Sequence, residues 1–464
     1  MRRRVSLGLL ALGALAALAG LFIWATGGLT GAAPRLPKMP APTAAERFLV
    51  LAPHCDDETL ACGAVIALAK RAGAPTHVAL VTNGDGFLFA AERLFDEVEV
   101  PPKDYVRLGL DRQKETLAAV SRLGLSPDDV TFLGYPDGGS AHMLMTCWAP
   151  GQPYTSPRTR DNHNPYPNAL RPGGPYCGRF LLDDLETVIR RFRPTTVFCP
   201  HPNDTHRDHW ALYAYTLAGL HELGMLDKVT LRLYLVHRGD FPTPRGFHPD
   251  LPLSPPPPLI GLGTCWETLP LNARLVERKR QAIAQYHSQM LVMRRYLVSF
   301  ARASELFGTL PLRDLPVIER GRLRVDGNLA DWAGLAPVIR DPAQDLASED
   351  VAPAGDEMAL YAAEDGRRLF VRLDLYRPAS SELTYAVHLH PLFHGVVGPP
   401  RNYFISPGHA TPGVQCRAAG RSLEISVPLP SGPAFEGVML GADSRFQSHL
   451  LDRTAWILLR LKRG

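Results

Sequence analysis

The stretch LVLAPHCDDETLACG, residues 49–63, breaks off an apolar run and then meets His54, Asp56, Asp57 and Glu58 in quick succession. A short apolar run with polar boundaries reads as a buried strand, and the segment from Leu60 to Ala72 carries helical periodicity. A strand passed directly to a helix is half of a βαβ unit. The acids at the junction have two readings. They either cap the helix and complement its dipole, or they hold a metal together with His54.

Four further β-rich runs repeat the pattern: HVALVTNG (77–84), VTFLGYPD (130–137), TTVFCPHP (195–202) and VTLRLYLVHR (229–238). Amphipathic segments at 112–123, 180–192 and 209–223 separate them. Apolar strands alternating with helices predict an α/β domain, a Rossmann-like mostly parallel sheet with helices on both faces. In such sheets ligands sit beyond the carboxyl ends of the strands. His54, Asn83, Asp137, His201 and His237 end these runs, so all five are expected along one edge. Residues 138–178 lack periodicity and read as an insertion loop over that edge. A single final helix is expected from Leu271 to Met290.

After about residue 310 the character changes. VDGNLADWAGLAP (325–337), MALYAAEDGRRLFVRLDL (358–375), LTYAVHLHP (383–391) and SLEISVPLP (422–430) are short strands between Gly, Pro and Asp turns. That is the pattern of an all-β sandwich. The expected organisation is an α/β domain over 46–310 and a β-sandwich over 320–464.

HPNDTHRDHW, residues 201–210, is the second informative stretch, again directly behind a strand. His206 and His209 are three apart, so both can project from one side of a helix's first turn. With His54 and Asp57 on the same sheet edge, two imidazoles and a carboxylate come together. Nitrogen and oxygen donors with one open position are the donor set of a catalytic zinc site. Each half alone also fits a capped helix or a polar helix face; the two together favour the metal.

PHCDDE followed by HRDH resembles the PIG-L/LmbE family of zinc-dependent N-deacetylases, which remove acetyl from substrates containing N-acetylglucosamine. VTNGDG (81–86), DRQKE (111–115), GYPDGG (134–139) and the segment from Lys279 to the SQ at 288–289 add weaker matches, so the resemblance covers about residues 46–295. It implies Zn2+, or another divalent metal, on His54, Asp57 and His209. Asp56 becomes the general base, and His206 stabilises the oxyanion or protonates the leaving amine. Asp208 orients His206 or His209, and Arg112 and Asp137 contact the sugar. His237 is either a substrate contact or a satisfied strand-end histidine, Asp204 a helix cap, and Glu58 a helix-starting acid. The family commonly has proline where Cys55 stands, and the 138–178 insertion is a further departure. The C-terminal domain resembles family-9-like carbohydrate-binding and DOMON-type sandwiches. Its Trp332, Tyr361 and Phe370 either stack on sugars or fill the core.

Ahead of these domains, Arg2, Arg3 and Arg4 precede an uncharged stretch from Val5 to Ala33. Its apolar part, about twenty residues, is long enough to cross a bilayer. Residues 1–33 are read as a signal anchor or a cleaved signal peptide, with 34–45 a linker. The arginines predict an extracytoplasmic body, anchored in the membrane or, if cleaved, secreted. Cys147 and Cys177 flank the insertion and would be able to pair in an oxidising compartment. A net charge of +4 over 464 residues gives no electrostatic support for a nucleic-acid partner. The reading is a zinc hydrolase acting on an N-acetylated sugar or glycan. Its rivals are a glycan-binding surface protein without turnover and a zinc amidase for a non-sugar amide.

Overall fold

The structure, a computed structural model, describes residues 36–97, 99–345, 352–409, 411–430, 432 and 435–461. The chain divides into the units Met1–Pro37 and Lys38–Gly464, and the second carries every element below. The expected membrane segment, residues 1–33, lies outside the described residues. No helix among the described residues is long and apolar enough to cross a membrane.

The α/β part contains strands β1 (Phe48–Ala52), β2 (Thr76–Thr82), β3 (Val130–Tyr135), β4 (Thr196–Pro200), β5 (Thr230–Tyr234), β6 (Cys265–Pro270) and β7 (Ser304–Thr309). Among the described residues they form one sheet in the order β3-β2-β1-β4-β5-β7-β6. The first five are mutually parallel. Strands β7 and β6 join antiparallel and were not anticipated from the sequence. Every residue of β1 and β4 is buried, as a strand covered on both faces requires. Leu49 and Leu51 share a core with Leu181, Leu185 and Leu217 from helices on one face. Phe48 meets Phe198, which continues to Phe307.

The helices are α1 (Asp57–Arg71), α2 (Leu88–Phe95), α3 (Pro102–Leu123), α4 (Ser140–Met145), α5 (Gly178–Phe192), α6 (Arg207–Glu222), α7 (Ala273–Ile283) and α8 (His287–Leu297). The single helix expected from Leu271 to Met290 is instead two, α7 and α8, broken at 284–286. The break turns the buried Tyr286 hydroxyl onto Glu58 and Thr59, and lets Ser288 donate to Glu115 at 2.6 Å. The 138–178 insertion holds α4, an isolated bridge between His163 and Pro175, and otherwise turns and irregular backbone. Cys147 and Cys177 are both free thiols, so the pairing that an oxidising compartment would allow is not formed. Cys177 is buried where it opens α5.

Among the described residues, the C-terminal region contains two further sheets. One runs Gln415–Ala419, Ser422–Pro428, Arg368–Leu375, Glu357–Glu364 and Ile339–Arg340; the other is built around Leu383–Phe393, Phe435–Phe446 and Ile457–Leu461. Leu360, Val371 and Ile425 of the first share a core with Val387, Leu440 and Leu459 of the second. Trp332 and Phe370 also fill a core, with Trp332 Nε1 donating to Glu424 at 2.8 Å, so they do not form a sugar-stacking face. Tyr361 packs at its edge beneath Arg372. The second sheet lies against α6: Trp210 Nε1 donates to the Thr454 carbonyl, and Trp456 and Leu458 join the α/β core.

One buried ion pair ties three elements behind the site. Lys279 Nζ of α7 lies 2.7 Å from Glu305 of β7, and neither side chain is exposed. Glu305 also accepts the backbone N–H groups of Ala64 and Val65 in α1, at 2.7 and 2.9 Å. Removing one member leaves the other charge buried and uncompensated, which costs about 3–5 kcal/mol. Lys279→Met is therefore expected to lower the unfolding free energy by about that amount in urea titrations followed by circular dichroism. A change below about 1 kcal/mol, the range of an exposed pair, would contradict this role.

Candidate active site

The sheet order places β1 and β4 side by side with their connections leaving in opposite directions, the switch point at which such sheets bind ligands. The 54–58 turn follows β1, and the 201–209 segment follows β4. Their side chains converge there. His54 Nδ1 is 3.1 Å from Asp57 Oδ2, and His209 Nε2 is 3.0 Å from the same oxygen. His237, after β5, places Nε2 3.6 Å from Asp57 Oδ1. One donor atom from each of His54, Asp57, His209 and His237 lies within 4.8 Å of all the others. His237 thus stands in the cluster, where the sequence left it between a substrate contact and a satisfied strand-end histidine.

Residues around the cluster fix its geometry. Asp204 Oδ2 stands 3.1 Å from His209 Nδ1 and accepts the Val236 and His237 backbone N–H groups at 2.9 Å each. The sequence reading made Asp204 a helix cap; the structure makes it the orienting partner of His209, which only the fold of β5 reveals. His206 is itself the cap of α6, its Nδ1 accepting the Asp208 N–H. The Asp208 carboxylate, expected to orient His206 or His209, comes within 4.8 Å of a His206 ring nitrogen but takes its closest partners elsewhere. It lies 3.2 Å from His54 Nε2 and accepts the Gly138 and Ser140 N–H groups at 2.7 and 2.9 Å. Asp137 also faces His54, at 3.3 Å, and accepts from Gly86. His201 turns away, bonding Thr264 and stacking on Trp266.

Asp56 has φ 127° and ψ −32°, a conformation that side-chain-bearing residues rarely adopt. Several groups hold it. Glu58 Oε2 accepts the Asp56 N–H at 3.1 Å, and Tyr286 and Thr59 hold the other Glu58 oxygen. Arg112 is buried and donates to the Cys55 and Gly84 carbonyls, with Asp56 Oδ2 at 3.4 Å. The guanidinium therefore braces the turn, where the resemblance had implied sugar contact. Gly84 is required at this approach: its φ is 64°, and a Cβ there would lie 1.8 Å from the Arg112 guanidinium. Glu58 is fully buried in this network, unlike an ordinary helix-starting acid. Cys55 is buried as well, and burial pushes its thiol up to about 12.

The buried carboxylates of the cluster favour positive charge beside them. Burial opposes a charged His54, yet Asp137, Asp208 and Asp57 outweigh it and raise its pKa well above the usual histidine value. Burial likewise opposes a charged His209, but Asp204 and Asp57 raise it to about 9. Burial alone would lift the Asp57 carboxyl; His209, His237 and His54 hold it well below the usual range. Asp57 Oδ1 is buried without a hydrogen-bond partner. Two imidazole nitrogens, a carboxylate oxygen and a third imidazole at the exposed side suit a divalent cation such as zinc. Beside it, burial lifts Asp56 to about 8 against the pull of Arg112. Burial and the charges of His54 and His237 bring His206 down to about 3.

Residues 49–219 match the family described as PIG-L, GlcNAc-PI de-N-acetylase. The chain carries a PIG-L domain. The match begins in β1 and ends in α6, so it holds both motifs and stops short of His237. No curated protein matches the chain. Among solved structures, the A40926 pseudoaglycone deacetylase Dbv21 is 23% identical, with 57% of this chain and 96% of that one covered and a TM-score of 0.37. The conserved protein TT1542 from Thermus thermophilus is 24% identical over 58% and 98% of the two chains, with a TM-score of 0.33. The N,N'-diacetylchitobiose deacetylase from Pyrococcus horikoshii is 17% identical over 56% and 82%, with a TM-score of 0.34.

Partners that orient a ligating histidine typically change metal affinity by about 10–100-fold when removed. Asp204→Asn in the PIG-L domain is expected to weaken zinc binding by that factor, and Asp57→Ala to abolish it. Competition against a chromophoric chelator measures both. Undiminished affinity in Asp204→Asn would remove its orienting role.

Proposed function

We propose that this protein is a metal-dependent hydrolase that removes acetyl from N-acetylated amino sugars, alone or within a glycan. The observation that carries the reading is the convergence of His54, Asp57, His209 and His237 beside Asp56 and His206, inside a PIG-L domain. We take the metal to be zinc, held by His54, Asp57 and His209, with His237 on the open side. A divalent cation bound there supplies Lewis acidity, acidifying water and polarising an amide carbonyl.

The side chains supply the remaining chemistry. Asp56 stands beside the cluster on a braced turn and takes the proton of the attacking water as its oxygen bonds to the acetyl carbon. His206 Nδ1 accepts the Asp208 N–H, which leaves the ring proton on Nε2. That N–H stabilises the negative charge developing on the carbonyl oxygen. The C–N bond then breaks, the proton held by Asp56 passes to the leaving nitrogen, and acetate and a free amine depart. Asp208 and Asp137 keep the His54 ring in place; Arg112 and Glu58 keep Asp56 in place. The arginines before the apolar stretch at 5–33 support a body carried outside the cytoplasm, anchored or secreted.

The test is acetate release from N-acetylglucosamine oligomers by the zinc-loaded protein. Asp56→Asn is expected to lower kcat by about 10²–10⁴-fold with zinc content unchanged. Undiminished turnover in that variant, or no acetate from any N-acetylated sugar, would overturn the reading.

A further inference from the structure

A second set of carboxylates lies where the β-rich region meets the segment that bears His206 and His209. Asp341 follows the strand Ile339–Arg340, Asp345 lies four residues on, and Asp452 belongs to the strand His449–Arg453. One oxygen from each lies within 4.8 Å of the other two. Asp356 and Glu357 adjoin them: Asp356 accepts the Gln344 N–H at 2.8 Å, and the Glu357 N–H donates to Asp452 at 2.8 Å. Burial and mutual repulsion raise Asp341 well above the usual carboxylate range, Asp452 to about 7 and Asp345 to about 6.

Among the described residues, nearby cations do not balance this charge. Arg238 reaches Asp345 only at 4.0 Å and is engaged by Asp240 and the Asn203 carbonyl. Arg453 donates to the Thr205 carbonyl and lies over the Trp210 ring. Independent of the cluster's composition is the state of Glu357. It is fully buried, neither of its carboxylate oxygens has a hydrogen-bond partner, and Asp452 is the strongest charge acting on it. The Thr454 amide beside it is already given to the Ala442 carbonyl. Asp345 Oδ1 is likewise buried without a partner.

We propose that Asp341, Asp345 and Asp452 bind a Ca2+ ion that fixes the β-rich region to the catalytic segment. An all-oxygen, all-carboxylate donor set selects a hard cation over zinc. Oxygens sharing one Ca2+ at about 2.4 Å lie no more than about 4.8 Å apart, a spacing this cluster meets. The link to the site is direct, because Asn203 Nδ2 donates to Asp341 Oδ1 at 3.1 Å and Asn203 precedes Asp204, the partner of His209.

The experiment uses the full chain, loaded first with zinc and then titrated with CaCl2, following bound calcium by equilibrium dialysis and Tm by scanning calorimetry. One calcium per chain is expected, with a Tm that climbs with calcium concentration as mass action requires. Asp452→Asn and Asp345→Asn are expected to lower calcium affinity at least tenfold and to abolish the Tm rise, with zinc content intact. Asp345 lies at the rim, so its variant gives the same reading if Asp452→Asn does not fold. No calcium retained at millimolar concentration, or equal retention and an equal Tm rise in a folded variant, would overturn the proposal. Neither outcome depends on whether the protein is a deacetylase.

Discussion

The constraint on which the site depends is the turn at Asp56. Between the end of β1 and the start of α1 the backbone passes through φ 127° at a residue with a side chain. Such a conformation costs about 1–3 kcal/mol and persists only where the surroundings over-determine it. Here Arg112 holds the carbonyl before it, Glu58 holds its N–H, and Tyr286 with Thr59 holds Glu58. The effect is to separate two adjacent carboxylates. Asp57 faces three histidines, and Asp56 faces Arg112. A relaxed helix start would not by itself assign neighbouring acids to such different surroundings.

The weaker sequence matches acquire a physical meaning from that turn. DRQKE supplies Arg112 to the turn and Glu115 to Ser288. VTNGDG supplies the glycine that lets Arg112 approach, and Asp85, which accepts the Asp137 N–H. GYPDGG supplies Asp137 and the Gly138 N–H that Asp208 accepts. The segment from Lys279 to Gln289 supplies Lys279, Tyr286 and Ser288. These are braces and second contacts, scattered in sequence and gathered behind one strand end.

How much of this was legible follows from the range of the interactions. Strands β1, β2 and β4 were readable because burial on both faces leaves near-continuous apolar runs. His54, Asp57 and His209 were readable because each sits a few residues beyond such a run. Tyr286 was not, since it meets Glu58 across 228 residues, and local reading therefore left Glu58 as a helix-starting acid. Asp204 looked like a cap because the Val236 and His237 amides that turn it toward His209 come from the loop after another strand. Strands β6 and β7 are six residues each, pair antiparallel, and carry too little periodicity to announce themselves. The helix break at 284–286 is likewise a tertiary demand on a helical sequence.

The β-rich region buttresses α6 from behind, through Trp210 on the Thr454 carbonyl and Glu222 on the Val397 N–H, so the helix after His206 is held between two sheets. Rigid support on both motifs is what a metal site needs to keep its donors in place. Anomalous diffraction at the zinc edge from crystals of the zinc-loaded protein tests the account most directly. It predicts a peak about 2.0–2.2 Å from Asp57 and from a nitrogen of each of His54 and His209. Zinc bound away from Asp57, or no peak at this cluster, would contradict it.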